Sequence, residues 1–198
     1  MARLTFQRLS GATLHRYIPE LARLRMRVFR DFPYLYDGDP EYEARYLQTY
    51  VEAPHSVIVL AFDGDRVVGA SSGLPLIHET EEVQQPFREA DYAVETIFYC
   101  GESVLLPDYR GQGAGVAFFE HREDHARETG GMKHSCFCAV ERPVTHPARP
   151  AGYQPLDEFW QHRGYERHPE LATQFSWKDL GDSHDSLKPM TFWMKPLP

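Results

Sequence analysis

The chain has 198 residues, 21 Lys plus Arg against 29 Asp plus Glu (formal charge −8), and 42% apolar and 13% aromatic side chains. That apolar content excludes a disordered chain, and a chain of about 100–200 residues is expected to form one domain, here residues 1–198. The acidic balance disfavours nucleic-acid partners, which need clustered Lys and Arg, and the longest apolar run, Val57 to Phe62, falls far below the roughly 20 residues of a membrane helix.

Three cysteines, Cys100, Cys136 and Cys138, are odd in number and too few for a disulfide framework. Met1 to Ser10 lacks the continuous apolar stretch of a secretory signal. A cytoplasmic, reduced protein is expected. The acidity also suits a cationic substrate, although −8 is equally an ordinary solubility charge.

Ala2 to Leu9 alternates with period two, as a half-buried strand does. From His15 to Arg30, Leu14, Ile18, Leu21, Leu24 (or Arg25) and Val28 recur at helical spacing, with Pro19 in the first turn. Residues 31–40 break this helix, and a second is predicted over Glu41 to Val51. Val57 to Phe62 and Arg66 to Leu74 flank Asp63-Gly64-Asp65, a hairpin signal. A polar helical patch over Glu79 to Glu89 precedes a long strand, Ala93 to Leu106. Pro107-Asp108-Tyr109 turns the chain into Arg110-Gly111-Gln112-Gly113-Ala114-Gly115, followed by a helix to about Glu128 that Gly130-Gly131 stops. A strand (Met132 to Val140), a short helix (Leu156 to Arg163) ended by Gly164, and strands near Leu171–Lys178 and Met190–Lys195 complete a mixed α/β domain.

The glycine cluster carries the most chemistry. Glycines at 111, 113 and 115 leave bare backbone, and the new helix adds free N–H groups and a positive dipole end, a combination suited to phosphate or pyrophosphate. Arg110 adds a charged donor. A nucleotide P-loop would need a following Lys, and a dinucleotide fingerprint would need wider glycine spacing inside an early βαβ unit. On spacing alone a glycine turn without ligand is as good a reading.

Val104-Leu105-Leu106-Pro107-Asp108-Tyr109-Arg110-Gly111-Gln112-Gly113-Ala114-Gly115 resembles the acyl-CoA-binding motif of the GNAT superfamily of N-acetyltransferases. Phe159-Trp160-Gln161-His162-Arg163-Gly164-Tyr165 is similar to a second signature of that family, and the element order from Leu4 to Lys195 agrees. The resemblance implies a mostly antiparallel sheet with splayed middle strands flanked by helices, and acetyl-CoA as co-substrate with no metal. It further implies that the amides of residues 110–115 hold the pyrophosphate, that the main chain of Val104, Leu105 and Leu106 pairs with the pantetheine arm, and that the splayed strands are 93–106 and 132–140. Homodimers are common among such proteins, so a dimer is open to this chain.

An amine with a pKa near that of Lys, about 10.4, must lose a proton before it attacks a thioester. Glu102, in an apolar strand beside Gly101, is the first candidate for the base: a bulge at Gly101 would aim it into the cleft and burial would suit the role. An edge glutamate paired with an Arg of the first helix is the equal alternative, and Glu95 is a weaker one. Where the family often has a Tyr acid, this chain has Trp160, which is no practical proton source; Tyr153 and Tyr165 are the substitutes to weigh, against a packing role. Acceptor contacts are expected from Phe29, Phe32, Tyr34, Tyr36, Asp37, Tyr42, Tyr46, His78, Glu79, Glu81 and Glu82, an aromatic and acidic set suited to a small cationic amine. Arg25 and Arg27 are candidates to hold a carboxylate.

His121 and His125 share a helix face at metal-clasping spacing, but an exposed face is the plainer reading. Cys136 and Cys138 read as small core residues, and the run from Arg142 to Pro150 as a rigid connection. The sequence therefore supports acetyl transfer from acetyl-CoA to a primary amine of a small molecule by direct attack in a ternary complex. The alternative is a non-catalytic acyl-CoA-binding module of the same fold, and a more distant one is a metal hydrolase built on the two histidines.

Overall fold

The computed structural model describes residues 4–198, so Ala2 and Arg3, at the start of the first predicted strand, lie outside the described residues. Strand β1 (Thr5–Leu9) and a 3-10 stretch (Gly11–Tyr17) lead into helices α1 (Ile18–Phe29) and α2 (Pro40–Glu52). The hairpin β2 (Val57–Asp63) and β3 (Arg66–Pro75) precedes α3 (Glu81–Glu89), then β4 (Ile97–Tyr99), β5 (Ser103–Leu105), α4 (Ala114–Thr129) and β6 (His134–Val140). Helix α5 (Asp157–Gln161) and a long hairpin, β7 (Glu166–Trp177) and β8 (Ser186–Pro196), close the chain.

The sheet order is β1-β2-β3-β4-β6-β8-β7, with β5 attached to β3 alone. Every pairing is antiparallel except β4 with β6. Alternation along β2 sends Ile58 and Leu60 to one face, with Leu21 and Leu47 of α1 and α2, and Val57, Val59 and Ala61 to the other, with Phe118 and Phe119 of α4. Helices cover both faces, which is why β2 reads as one unbroken apolar run. No helix among the described residues is long and apolar enough to cross a membrane.

Local chemistry explains most boundaries. Pro19 occupies the first turn of α1. Asp39 caps α2, its Oδ1 accepting from the amides of Glu41 (2.8 Å) and Tyr42 (3.2 Å). Gly64 turns the first hairpin at φ 59°, and Gly164 ends the α5 segment at φ 84°. The last two strands run longer than the pattern predicted: β7 begins with exposed polar residues such as Glu166, Arg167 and Glu170, and β8 begins with exposed Ser186 and Leu187 before burying Met190 to Met194.

The predicted continuous strand from Ala93 to Leu106 is not continuous. Residues 94–96 form a 3-10 turn, and the strand breaks between Tyr99 and Ser103. Leu74 faces Tyr99 whereas Ser71 faces Ser103, so three steps along β3 are matched by four on the other strand. The extra residue is a bulge. Gly101 makes it possible, since a Cβ there would run into the Tyr50 hydroxyl and the Ser72 Oγ.

Candidate active site

The bulge splits the middle of the sheet. The Cys100 amide makes the last link to β6, donating to the Cys136 carbonyl at 2.7 Å. Beyond that point β6 pairs with β8 and β5 with β3, and neither pairs with the other. Leu106 donates to Val68, and Ser72 to the Glu102 carbonyl. The alternation of an antiparallel ladder then turns the main chain of Val104 and Leu106 toward β3 and that of Ser103 and Leu105 toward the gap. Of the expected pantetheine partners 104–106, only Leu105 presents free main-chain groups.

At the far end of β5 lies the glycine turn. Gly111 and Gly113 have φ of 74° and 84°, and nothing stands within 4 Å of where a Cβ would be on either. Gly113 caps α4 without any side-chain acceptor. The first backbone bond of the helix runs from Ala117 to the Gly113 carbonyl, so the amides of residues 111–116 have no backbone acceptor among the described residues. Of the amides expected to be free over 110–115, that of Arg110 is already given to the Pro107 carbonyl; its guanidinium stays half exposed, 4.0 Å from Asp31. Gly115 is needed for packing, since a Cβ there would sit 3.1 Å from the Phe159 ring. This open row of amides, at the positive end of a 16-residue helix, fits a diphosphate.

On the opposite side of the break is a cavity of about 460 Å³. One wall carries Tyr42 and Tyr46 from α2 and Phe29 from α1. The other carries Phe175 and Trp177 from β7, and Glu102, Tyr99 and Cys138 form the floor. Tyr42 and Tyr46 stack, with ring centroids 6.4 Å apart, and the Tyr46 hydroxyl continues to Tyr50 at 3.0 Å.

Beneath the tyrosines lies a buried charge cluster. Arg25 is bonded to Glu43, whose side chain is 0% exposed, and its Nη1 lies 2.7 Å from Glu102 Oε2. The Tyr46 hydroxyl donates to that same oxygen at 2.5 Å, and the Arg25 guanidinium lies 4.0 Å above the Tyr46 ring. From the other face the buried Arg122 of α4 donates to the main-chain carbonyls of Glu102 (3.0 Å) and Ser72 (3.3 Å). The backbone of the bulge is thus held from one side of the sheet and its carboxylate from the other. The pairing with a first-helix arginine is the alternative the sequence offered for Glu102.

Residues 19–151 match the family profile described as the acetyltransferase (GNAT) family. The chain belongs to the GNAT acetyltransferase family. No curated protein sequence matches it. Among solved structures similar to this acetyltransferase are the ribosomal-protein-alanine N-acetyltransferase of Brucella melitensis (14% identity, TM-score 0.64, 98% of this chain and 99% of that one) and Salmonella typhimurium yncA with its cofactor acetyl-CoA (10%, 0.61, 99% and 95%). An aminoglycoside 6'-N-acetyltransferase complexed with coenzyme A is a third (15%, 0.61, 98% and 97%). At these identities the likeness concerns the fold.

Several acceptor-side candidates of this acetyltransferase fall into the cavity wall: Phe29, Tyr34, Tyr36, Tyr42, Tyr46, Glu79 and Glu82. Others do not. Phe32 packs on Tyr153 (4.7 Å), Asp37 pairs with Lys178 and Glu81 with Arg88, and His78 and Glu95 point to solvent. The tyrosine substitutes for the acid are also placed elsewhere: Tyr165 is buried with its hydroxyl on Ser135 and Glu123, and Tyr153 lies under Arg149 (4.8 Å). Trp160 packs between Phe137 and Trp193 (5.0 and 5.1 Å). His121 and His125 are half-buried rather than exposed, against the Phe6 ring and the His55 carbonyl.

Sequence reasoning missed Glu43, Tyr50, Arg122 and the β7 wall. A signal for Glu43 was present. Glu43 shares the stripe of Leu47 and Tyr50 on α2, as Arg25 shares that of Leu21 and Leu24 on α1, so two opposite charges sit on two apolar helix faces.

Proposed function

We propose that this protein transfers an acetyl group from acetyl-CoA to a primary amine of a small molecule, by direct attack within a ternary complex. One observation carries the reading: the bulge at residues 100–102 joins an open amide row and a free strand edge on one side to an aromatic and acidic cavity on the other. The amides of 111–116 and the Arg110 guanidinium would hold the diphosphate of the coenzyme, and the free edge at Ser103 and Leu105 its pantetheine arm. The coenzyme supplies the thioester, and every other element belongs to this chain.

The cavity is lined by Glu43, Glu79, Glu82 and Glu102 with Arg25 as the single cation among its described residues. That excess of carboxylate favours an ammonium, and the tyrosine faces add cation–π attraction of about 0.5–2 kcal/mol. Glu102, the carboxylate the sequence offers for catalysis, lies beside the gap with Oε2 held by Arg25 and Tyr46, which supports a role in which its charge draws the ammonium to the gap. Walls from α2 on one side and β7 on the other, bounding a cavity of about 460 Å³, support a small acceptor over a protein tail. Burial pushes the Cys138 thiol up to about 12, so it stays protonated, which supports direct attack over an acyl-cysteine.

A thiol-release assay with acetyl-CoA against polyamines, aminoglycosides, amino acids and peptides tests the reading, and turnover on at least one small amine is expected. The packing of Trp160, where the family often has a tyrosine acid, favours the second reading, an acyl-CoA-binding module without chemistry. Tight coenzyme binding with no turnover on any amine would establish that instead.

A further inference from the structure

We propose that Glu79 is the residue that takes the proton from the acceptor amine, while Glu102 acts as a fixed charge beside it. The inference rests on the transfer reading above. Glu79 ends the 3-10 turn Leu76–His78 that follows β3 and reaches into the cavity opposite the bulge. Its carboxylate has no cationic partner among the described residues and accepts one hydrogen bond, from the neighbouring Thr80 amide at 3.2 Å. Glu102 by contrast has an oxygen shared by a guanidinium and a phenol. Of the carboxylates lining the cavity, Glu102 is engaged and Glu79 free, and the two divide the work as paired acids do in other enzymes: the free one exchanges protons.

Its surroundings reinforce this. Burial, assisted by the charge of Glu102 and opposed by the Thr80 amide, raises the Glu79 carboxyl to about 7. The neighbouring groups do not compete near that pH. Burial pushes the phenols of Tyr42, Tyr46 and Tyr50 on α2, and of Tyr99 on β4, above their usual range. It does the same to the Cys136 and Cys138 thiols on β6. Arg25 is bound to Glu43 and Glu102, and Glu82 at the rim titrates lower than usual through hydrogen bonds at the start of α3. Glu79 is the group whose carboxylate form appears as the pH passes neutrality, as a general base requires.

The step balances without another reactant. Glu79 takes one proton from the ammonium, leaving a neutral amine. The nitrogen–carbon bond forms as the carbon–sulfur bond breaks, and the second amine proton leaves with the departing thiol.

The test is the pH–rate profile of wild-type protein and Glu79→Gln with a small amine, with coenzyme affinity measured in parallel. Wild type is expected to show an acidic limb near pH 7, and E79Q to lose that limb and about 10²–10⁴ in rate with coenzyme affinity unchanged. A carbon-13 titration of the glutamate carboxyls should show one group titrating near 7 that is missing from E79Q. Wild-type turnover with the limb intact in E79Q, or no carboxyl titrating near 7, overturns the role of Glu79 alone. A wild-type protein that turns over no amine overturns the transfer reading and this inference with it.

Discussion

Arg25 Nη1 and Glu102 Oε2 lie 2.7 Å apart, tying the first helix to the bulge that opens the sheet. Because Arg25 also neutralises the fully buried Glu43, its loss leaves two carboxylates uncompensated. Removing one partner of a buried pair costs about 3–5 kcal/mol. Arg25→Met is expected to lower stability in urea denaturation by that order, with most of the effect due to Glu43.

Glu102→Gln is expected to act through Glu79. The Glu102 charge is one of the causes that raise the Glu79 carboxyl, so removing it moves the acidic limb of the rate profile to lower pH without abolishing it. The amine KM rises because the cavity loses a negative charge. A limb that stays in place and a KM that does not change would show that the two carboxylates are independent.

Gly101→Ala forces a methyl group against the Tyr50 and Ser72 hydroxyls. The bulge must then move, and with it the Glu102 carboxylate. Such overpacking typically costs about 1–3 kcal/mol, read as a lower denaturation midpoint, with amine turnover falling further than coenzyme affinity.

Gly113→Val meets no neighbour, yet a β-branched residue at φ 84° is strained by about 1–2 kcal/mol, and its side chain stands where a diphosphate would lie. Calorimetry should find acetyl-CoA binding, about micromolar in wild type, abolished in a protein that still folds.

Arg142 ties the loop after α1 to the turn after β7. It pairs with Asp179 through two bonds of 2.8 and 2.9 Å and donates to the Pro33 and Tyr34 carbonyls. Burial pushes the Asp179 carboxyl up, but the Arg142 and Lys188 charges outweigh it and hold the group below its usual value. A depressed carboxylate stabilises the fold above its unfolded value and loses that contribution as the pH falls. Arg142→Met is expected to destabilise the protein at pH 7, and the gap to wild type should narrow below about pH 4 in thermal melts.

Some of this architecture is written in local patterns. Asp39-Pro40 starts α2, Gly64 turns the hairpin, and Gly130-Gly131 stops α4, because caps and positive-φ positions depend on residues close in the chain. The glycine turn was legible for the same reason. The bulge at Gly101 was legible as an option from the glycine beside Glu102, but the strand from 93 to 106 was read as continuous because residue type does not reveal where pairing is lost. The space a side chain at Gly101 would need is taken by Tyr50, a residue about a quarter of the chain away.

The sequence by itself determined the order of elements, the bare turn at 111–113 and the acidic, aromatic character of the acceptor side, since each follows from residue type and short-range spacing. Only the tertiary structure decided which carboxylate is engaged and which is free. Glu43, Glu79 and Glu102 are the same chemical group, and their roles differ through the one guanidinium that long-range packing of α1 brings to two of them and not to the third.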